Sequence, residues 1–216
     1  MSGNSPYHVT RLVPADYLRS EPGPWQSTQI AIHPAGADRR LQQFEWMVTR
    51  AQSSTSGFFA LYPRHQRLTM LLNGAGMRLI HTDTTGNRSE RVLYRHFDTC
   101  RYSGAWTTEA ELIDGPVTDL NVIYDGSRGQ TDMGVFHLTR RLLHSCLNAN
   151  VHLFYCIKGL AAATIGRSGD SFCLETDQTI LLESDPKDRT PEDEITLTAL
   201  RADTVLAGIH LYLSGS

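Results

Sequence analysis

Between positions 67 and 80 the chain reads RLTMLLNGAGMRLI. Leu68, Met70 and Leu72 alternate with Thr69, Leu71 and Asn73 before the run stops at Gly74-Ala75-Gly76 and resumes as Met77-Arg78-Leu79-Ile80. A mostly apolar run broken by glycine reads as two buried or half-buried strands joined at a turn. Asn73-Gly74 supplies the positive-φ residues that a tight turn needs. Arg67 stands at the edge of the most apolar part of the chain. It is either a snorkelling surface residue or a charge aimed into a cavity.

The same punctuation continues along the chain. Short apolar or alternating runs at 25–32, 44–48, 91–94, 120–124, 172–174, 178–182, 195–200 and 204–213 read as strands. Turn signals fall at 84–87, 114–116 and 167–170, and a charged loop at 185–193. One short helical turn is expected near Pro14. Residues 132–148 fit a helix face and a strand about equally. The stretch 151–166, VHLFYCIKGLAAATIG, echoes the first run: apolar strand, glycine, apolar strand. Many short strands spaced by Gly, Pro and Asp turns give an all-β sandwich or barrel.

Composition narrows the function classes. The 216 residues carry a formal net charge of −3 and no basic block, so no nucleic-acid partner is expected. No apolar run is long enough for a membrane helix, and MSGNSPYHV lacks the pattern of a signal peptide, so a cytoplasmic address is expected. The cysteines, Cys100, Cys146, Cys156 and Cys173, form no CxxC pair and read as reduced and structural, the last three near apolar runs. None of the nine histidines forms His-x-His, and the nearest approach to a ligand pair is His144-x-Cys146. No metal and no cofactor are therefore expected. There is no Gly-x-Ser-x-Gly elbow, and Gly74-Ala75-Gly76 lacks the third glycine of a dinucleotide loop. No catalytic set is assigned.

One ordered series of motifs is more specific. It runs Phe44-Glu45-Trp46, Gly57-Phe58-Phe59, Tyr62-Pro63, Arg67, Leu71-Leu72-Asn73-Gly74-Ala75-Gly76, Gly115-Pro116 and Asp119-Leu120-Asn121-Val122. This series resembles the HutD/Ves family, cupin-like all-β proteins associated with bacterial histidine utilisation. The resemblance implies a single two-lobed (bicupin) domain over 1–216, with lobes near 25–130 and 131–213. It also implies a non-catalytic protein that binds a small acidic metabolite and acts as a governor of the pathway. The chain departs from the family where Gln26-Ser27-Thr28-Gln29-Ile30 follows Trp25, where Met47 follows Trp46, and where Arg64 and Gln66 precede Arg67.

Candidate ligand-binding residues follow from both readings. Arg67 offers a planar, bidentate grip on a carboxylate. Asp119 and Asn121, two apart on a strand, share one face, and asparagine both donates and accepts. They also suit a buried network that fixes the strand. Trp25 and Trp46 suit the wall of an apolar pocket or plain core. Thr28 and Gln29 stand where the family has charged residues. A metal-independent cupin isomerase or epimerase, with an acid/base pair in the barrel, stays open as an alternative, as does a scaffold working through protein contact. A homodimer stays open too.

Overall fold

The computed structural model describes residues 7–139, 143–166, 168–184 and 194–214. Among them lie nineteen strands and no helix; no helix is long and apolar enough to cross a membrane. In chain order they are β1 (His8–Leu12), β2 (Leu18–Arg19), β3 (Trp25–His33), β4 (Trp46–Ser53), β5 (Gly57–Phe58), β6 (Gln66–Asn73), β7 (Met77–Thr82), β8 (Arg88–Leu93), β9 (Thr99–Ser103) and β10 (Thr107–Leu112). Then follow β11 (Val117–Tyr124), β12 (Gly129–Leu138), β13 (Leu143–Cys146), β14 (Val151–Lys158), β15 (Leu160–Ile165), β16 (Ser171–Glu175), β17 (Thr179–Glu183), β18 (Glu194–Ala199) and β19 (Thr204–Leu213).

Two compact units form, one from Tyr17–Gly129 and one from Met1–Asp16 with Gln130–Ser216. The first holds sheets ordered β2-β3-β4-β11-β6-β9 and β5-β10-β7-β8. The second holds β1-β17-β14-β19-β12 and β13-β18-β15-β16. With β1, β2 and β3 set aside, the order in one unit is that in the other with every strand number raised by eight. Each unit is therefore the same eight-strand, two-sheet pattern. The layout shared by 67–80 and 151–166 is the local trace of it.

Both glycine-interrupted runs do something a hairpin does not. β6 pairs with β9 and β11, while β7 pairs with β8 and β10, so the turn carries the chain from one sheet to the other. Likewise β14 pairs with β17 and β19, and β15 with β16 and β18. Each crossing turns at a glycine packed against backbone. Gly74 has φ +109°, and a Cβ there would stand 2.6 Å from the Pro116 carbonyl oxygen. Gly159 has φ +97°, and its Cβ would stand 2.5 Å from Thr204 Oγ1. Only glycine meets both demands without strain. Residues 67–72 of β6 are all buried, which is why that run is almost continuously apolar rather than alternating.

Several local expectations change. The strand expected at 44–48 starts at Trp46 and runs on to Ser53, because it pairs along its whole length with β3 and β11. The ambiguous 132–148 stretch contains β12 and β13, and Gly134 weakens any helix there. Pro14 opens a turn rather than a helix: the Asp16 N–H donates to the Val13 carbonyl and the Asp16 carboxylate accepts from the Val13 N–H, both at 2.8 Å. Cys156 is buried, but Cys173 is exposed, since it faces outward on β16. The charged loop at 185–193 and Arg167 of the 167–170 turn lie outside the described residues.

Candidate functional site

Register decides which side chains meet. In the six-stranded sheet Gln29 lies opposite Thr49, Thr49 opposite Asn121, Asn121 opposite Thr69, and Thr69 opposite Cys100. One row further along, Ile123 lies opposite Arg67 and Arg67 opposite Tyr102. Alternation puts Arg67, Thr69, Asp119, Asn121 and Thr49 on one face. That face carries the cluster of Leu71, Val117 and Tyr102 with Met77, Leu79 and Leu93 from the four-stranded sheet. A polar row therefore crosses the inside of an otherwise apolar sandwich.

The row is tied by hydrogen bonds. Arg67 Nε donates to Asn121 Oδ1 at 3.0 Å, and the Thr69 hydroxyl donates to the same oxygen at 2.8 Å. Asn121 Nδ2 donates to Asp119 Oδ2 at 2.5 Å. The roles of both ends of the Asn121 amide are thereby fixed. The Tyr102 hydroxyl lies 3.4 Å from Thr69 Oγ1. Asp119 and Asn121 have no exposed surface, and Asp119 Oδ1 has no hydrogen-bond partner. Burial pushes the Asp119 carboxyl up to about 6, against the opposing pull of the Arg67 charge and the Asn121 bond. Burial likewise pushes the Tyr102 hydroxyl up to about 12.

Arg67 itself is 6% exposed. Its guanidinium carbon sits 4.1 Å from the centroid of the Phe59 ring, a cation–π contact. Its Nε is held by Asn121, and neither terminal nitrogen has a hydrogen-bond partner among the described residues. Arg67 lines a cleft of about 430 Å³ within this unit. Trp25, Phe58, Phe59, Leu61 and Tyr62 wall it, the sheet adds Thr49, Ala51 and Ile123, and the loop between β3 and β4 adds Arg39, Arg40 and Gln42. Trp25 meets Phe59 edge-on, with ring centroids 5.3 Å apart. Arg40 is committed to Asp38 at 2.8 Å, whereas Arg39 reaches Ser27 Oγ at 3.5 Å. The arrangement is a buried, oriented cation with unused donors, set among aromatic walls.

The seven residues singled out from sequence divide as follows. Arg67 and Trp25 line the cleft. Asn121 and Asp119 stand behind Arg67 and hold it. Gln29 is buried on the same face, opposite Thr49, but does not line the cleft. Thr28 and Trp46 project from the other face. Thr28 lies opposite Arg50, and Trp46 stacks on His33 with ring centroids 5.7 Å apart. Thr69 was within reach of sequence reasoning, being two residues from Arg67 on one strand. Thr49 and Tyr102 carried no such signal, because only long-range pairing brings them here, and Arg39 joins through the loop between β3 and β4.

The other unit carries different side chains at the same position. His152 precedes Gly159 by the seven residues that separate Arg67 from Gly74. It lies opposite His210 as Arg67 lies opposite Ile123, and Gly208 takes the place of Asn121. The Ala149 N–H donates to His152 Nε2 at 3.0 Å, so in the neutral ring His152 Nδ1 carries the proton and donates it to His210 Nδ1 at 2.7 Å. Gly208 leaves room for the Phe136 ring, since a Cβ there would stand 2.5 Å from Phe136 Cε2. Histidines and aromatic rings thus fill the place that Arg67 holds open. Among the described residues no group of three or more His, Cys, Asp or Glu is placed to hold a metal ion. The side chains of His144 and Cys146 lie outside the described residues.

Comparison with known proteins adds the family context. A family model described as HutD matches residues 20–206. An uncharacterized 21.2 kDa protein in the hutC 3′ region of Pseudomonas putida is 31% identical over 127 residues, which cover 59% of this chain and 63% of that protein. The match thus spans less than two thirds of that relative. A conserved protein of unknown function from Pseudomonas aeruginosa PAO1 superposes with a TM-score of 0.79 at 22% identity, over 96% of this chain and all of that one. HutD from Pseudomonas fluorescens SBW25 does so with 0.73 at 19% identity, over 96% and 100%. An oxalate decarboxylase of Bacillus subtilis gives 0.67 at 9% identity, over 95% and 78%. At such identities the structural likeness shows the fold, which is all-β and cupin-like.

Proposed function

The chain belongs to the HutD family, and from that premise we propose that its Tyr17–Gly129 unit binds a small carboxylate in the Arg67 cleft as a sensor in histidine utilisation, without turning it over. One observation carries the reading. A guanidinium buried to 6% exposure has both terminal nitrogens unbonded among the described residues, in a cleft walled by aromatic rings. A buried guanidinium whose terminal donors are unbonded is costly, and a bidentate carboxylate offsets that cost. The aromatic walls fit a flat or apolar body on the acid.

Binding is favoured over isomerase or epimerase chemistry by the composition of the cleft. No histidine, aspartate or glutamate is among the described residues that line it, and the nearby Asp119 is held behind Asn121. The histidine-utilisation context is supported by the family and by the hutC-region relative. The test is calorimetric titration with formate, acetate, benzoate and acids of histidine breakdown, with benzamide as the neutral match to benzoate. Benzoate should bind at least tenfold tighter than benzamide. Equal affinity for the two would contradict the reading, and steady consumption of any of these acids would turn it towards catalysis.

A further inference from the structure

Asp119 is a second charge in the same polar row, and carboxylate binding at Arg67 gives it no evident part. It comes from β11, has no exposed surface, and keeps one oxygen bare while Asn121 holds the other at 2.5 Å. The same Asn121 holds Arg67 Nε at 3.0 Å, so one amide separates the carboxylate from the guanidinium. The charged and titratable groups facing Asp119 come from three other strands. They are Arg67 of β6, Tyr102 and Cys100 of β9, and, beyond Tyr102, His81 of β7, whose ring lies 4.5 Å from the Tyr102 ring. Tyr102 and Cys100 are held protonated by burial, and burial keeps His81 towards its neutral form. Among the described residues Arg67 is thus the one cation directly opposing the Asp119 charge.

We infer that Asp119 is the exchangeable counter-charge of Arg67, so that the cleft takes up its anion together with one proton, which lands on the bare oxygen of Asp119. In the free protein the carboxylate balances the buried guanidinium through Asn121. A bound carboxylate takes over that balance, and two anions would then share one cation in a low-dielectric interior. Protonation of Asp119 removes the surplus charge. It does so without breaking the row, because the proton goes to Oδ1 while Oδ2 still accepts from Asn121. The site consequently takes an acid as anion plus proton, and its affinity rises as the pH falls from 8 towards 6. This inference rests on the carboxylate-binding reading of the cleft.

The burial of Asp119 sets the size of the effect. Its carboxyl titrates near 6 in the free protein, so it is mostly ionised at pH 7. If the bound anion lifts it by one to two pH units, roughly 0.4 to 0.8 proton enters per anion at pH 7. The experiment is calorimetry of benzoate binding at pH 7 in buffers of different ionisation enthalpy, on wild type and Asp119→Asn. Wild type should take up about half a proton or more. Asp119→Asn should bind with no uptake and with affinity nearly constant from pH 8 to 6. An infrared difference spectrum of wild type should gain a protonated-carboxyl band on binding, which serves if the variant does not fold. Arg67-dependent binding with no proton uptake, uptake that persists in Asp119→Asn, or no such band would overturn this inference and leave the binding reading standing. Failure of every carboxylate to bind would overturn both.

Discussion

Asn121→Ala is the most informative single change to the polar row. The side chain makes three buried hydrogen bonds, to Arg67, Thr69 and Asp119, and alanine makes none of them. Thr69 loses a neutral partner, worth about 1 kcal/mol, and keeps only the Tyr102 hydroxyl at 3.4 Å. Asp119 loses its one bonded contact while fully buried, which costs about 1.5–3 kcal/mol. Arg67 loses less, because it lines the cleft, where water can replace Asn121. The space left by the amide adds about 1 kcal/mol. The expected destabilisation is about 3–5 kcal/mol, in the range that marks a broken buried network. Trp25, Trp46 and Trp106 are the only tryptophans in the chain, and all three lie within the Tyr17–Gly129 unit. Tryptophan fluorescence in a urea titration therefore reports the unit that carries the site. A loss below about 1 kcal/mol would show that the row does not hold this face together.

Three further outcomes follow. The Asp119 carboxyl rises from 3.8 to about 6 on folding, so its share of stability is complete below about pH 4 and is lost as the pH rises through 6; Asp119→Asn should remove that slope, worth about 3 kcal/mol, as read from tryptophan-detected urea midpoints between pH 4 and 8. His81 has the opposite sign: burial lowers its pKa from 6.5, so its stability is present above pH 6.5 and lost as the pH falls, and in an Asp119→Asn background His81→Asn should flatten the same midpoints between pH 6.5 and 5. Gly74→Ala and Gly159→Ala should each cost at least about 2 kcal/mol in urea unfolding followed by circular dichroism, since both combine positive φ with a close contact; a loss under 0.5 kcal/mol at either would refute the crossing role.

The sequence makes some of this legible and hides the rest for definite reasons. Strand content is written in short apolar runs such as 204–213, whose bounds match β19. The partners of those strands are not written there. Asn73-Gly74 marks the end of β6, but nothing local says that β7 leaves for the other sheet, because that depends on the approach of Pro116. The site follows the same division. Arg67 stands out as a charge opening an apolar strand, and Asp119 with Asn121 through spacing of two. Thr28 and Gln29 are adjacent on β3, so alternation allows only one of them on the cleft face, and pairing with Thr49 selects Gln29. Thr49 and Arg39 have no local mark, since they join the cleft only through the register of β4 with β11 and the fold of a loop.

The most direct test of the central claim is the affinity of one carboxylate, benzoate, for wild type, Arg67→Ala and Arg67→Lys by titration calorimetry at pH 7. Arg67→Ala removes a charge-assisted bidentate contact and should cost about 1.5–3 kcal/mol, or roughly ten- to a hundredfold in Kd. Arg67→Lys should recover only part of it, because an ammonium is a point charge without the planar fork that matches a carboxylate. Equal affinity in wild type and Arg67→Ala, with both folded by tryptophan fluorescence, would contradict the claim and take Arg67 out of the site.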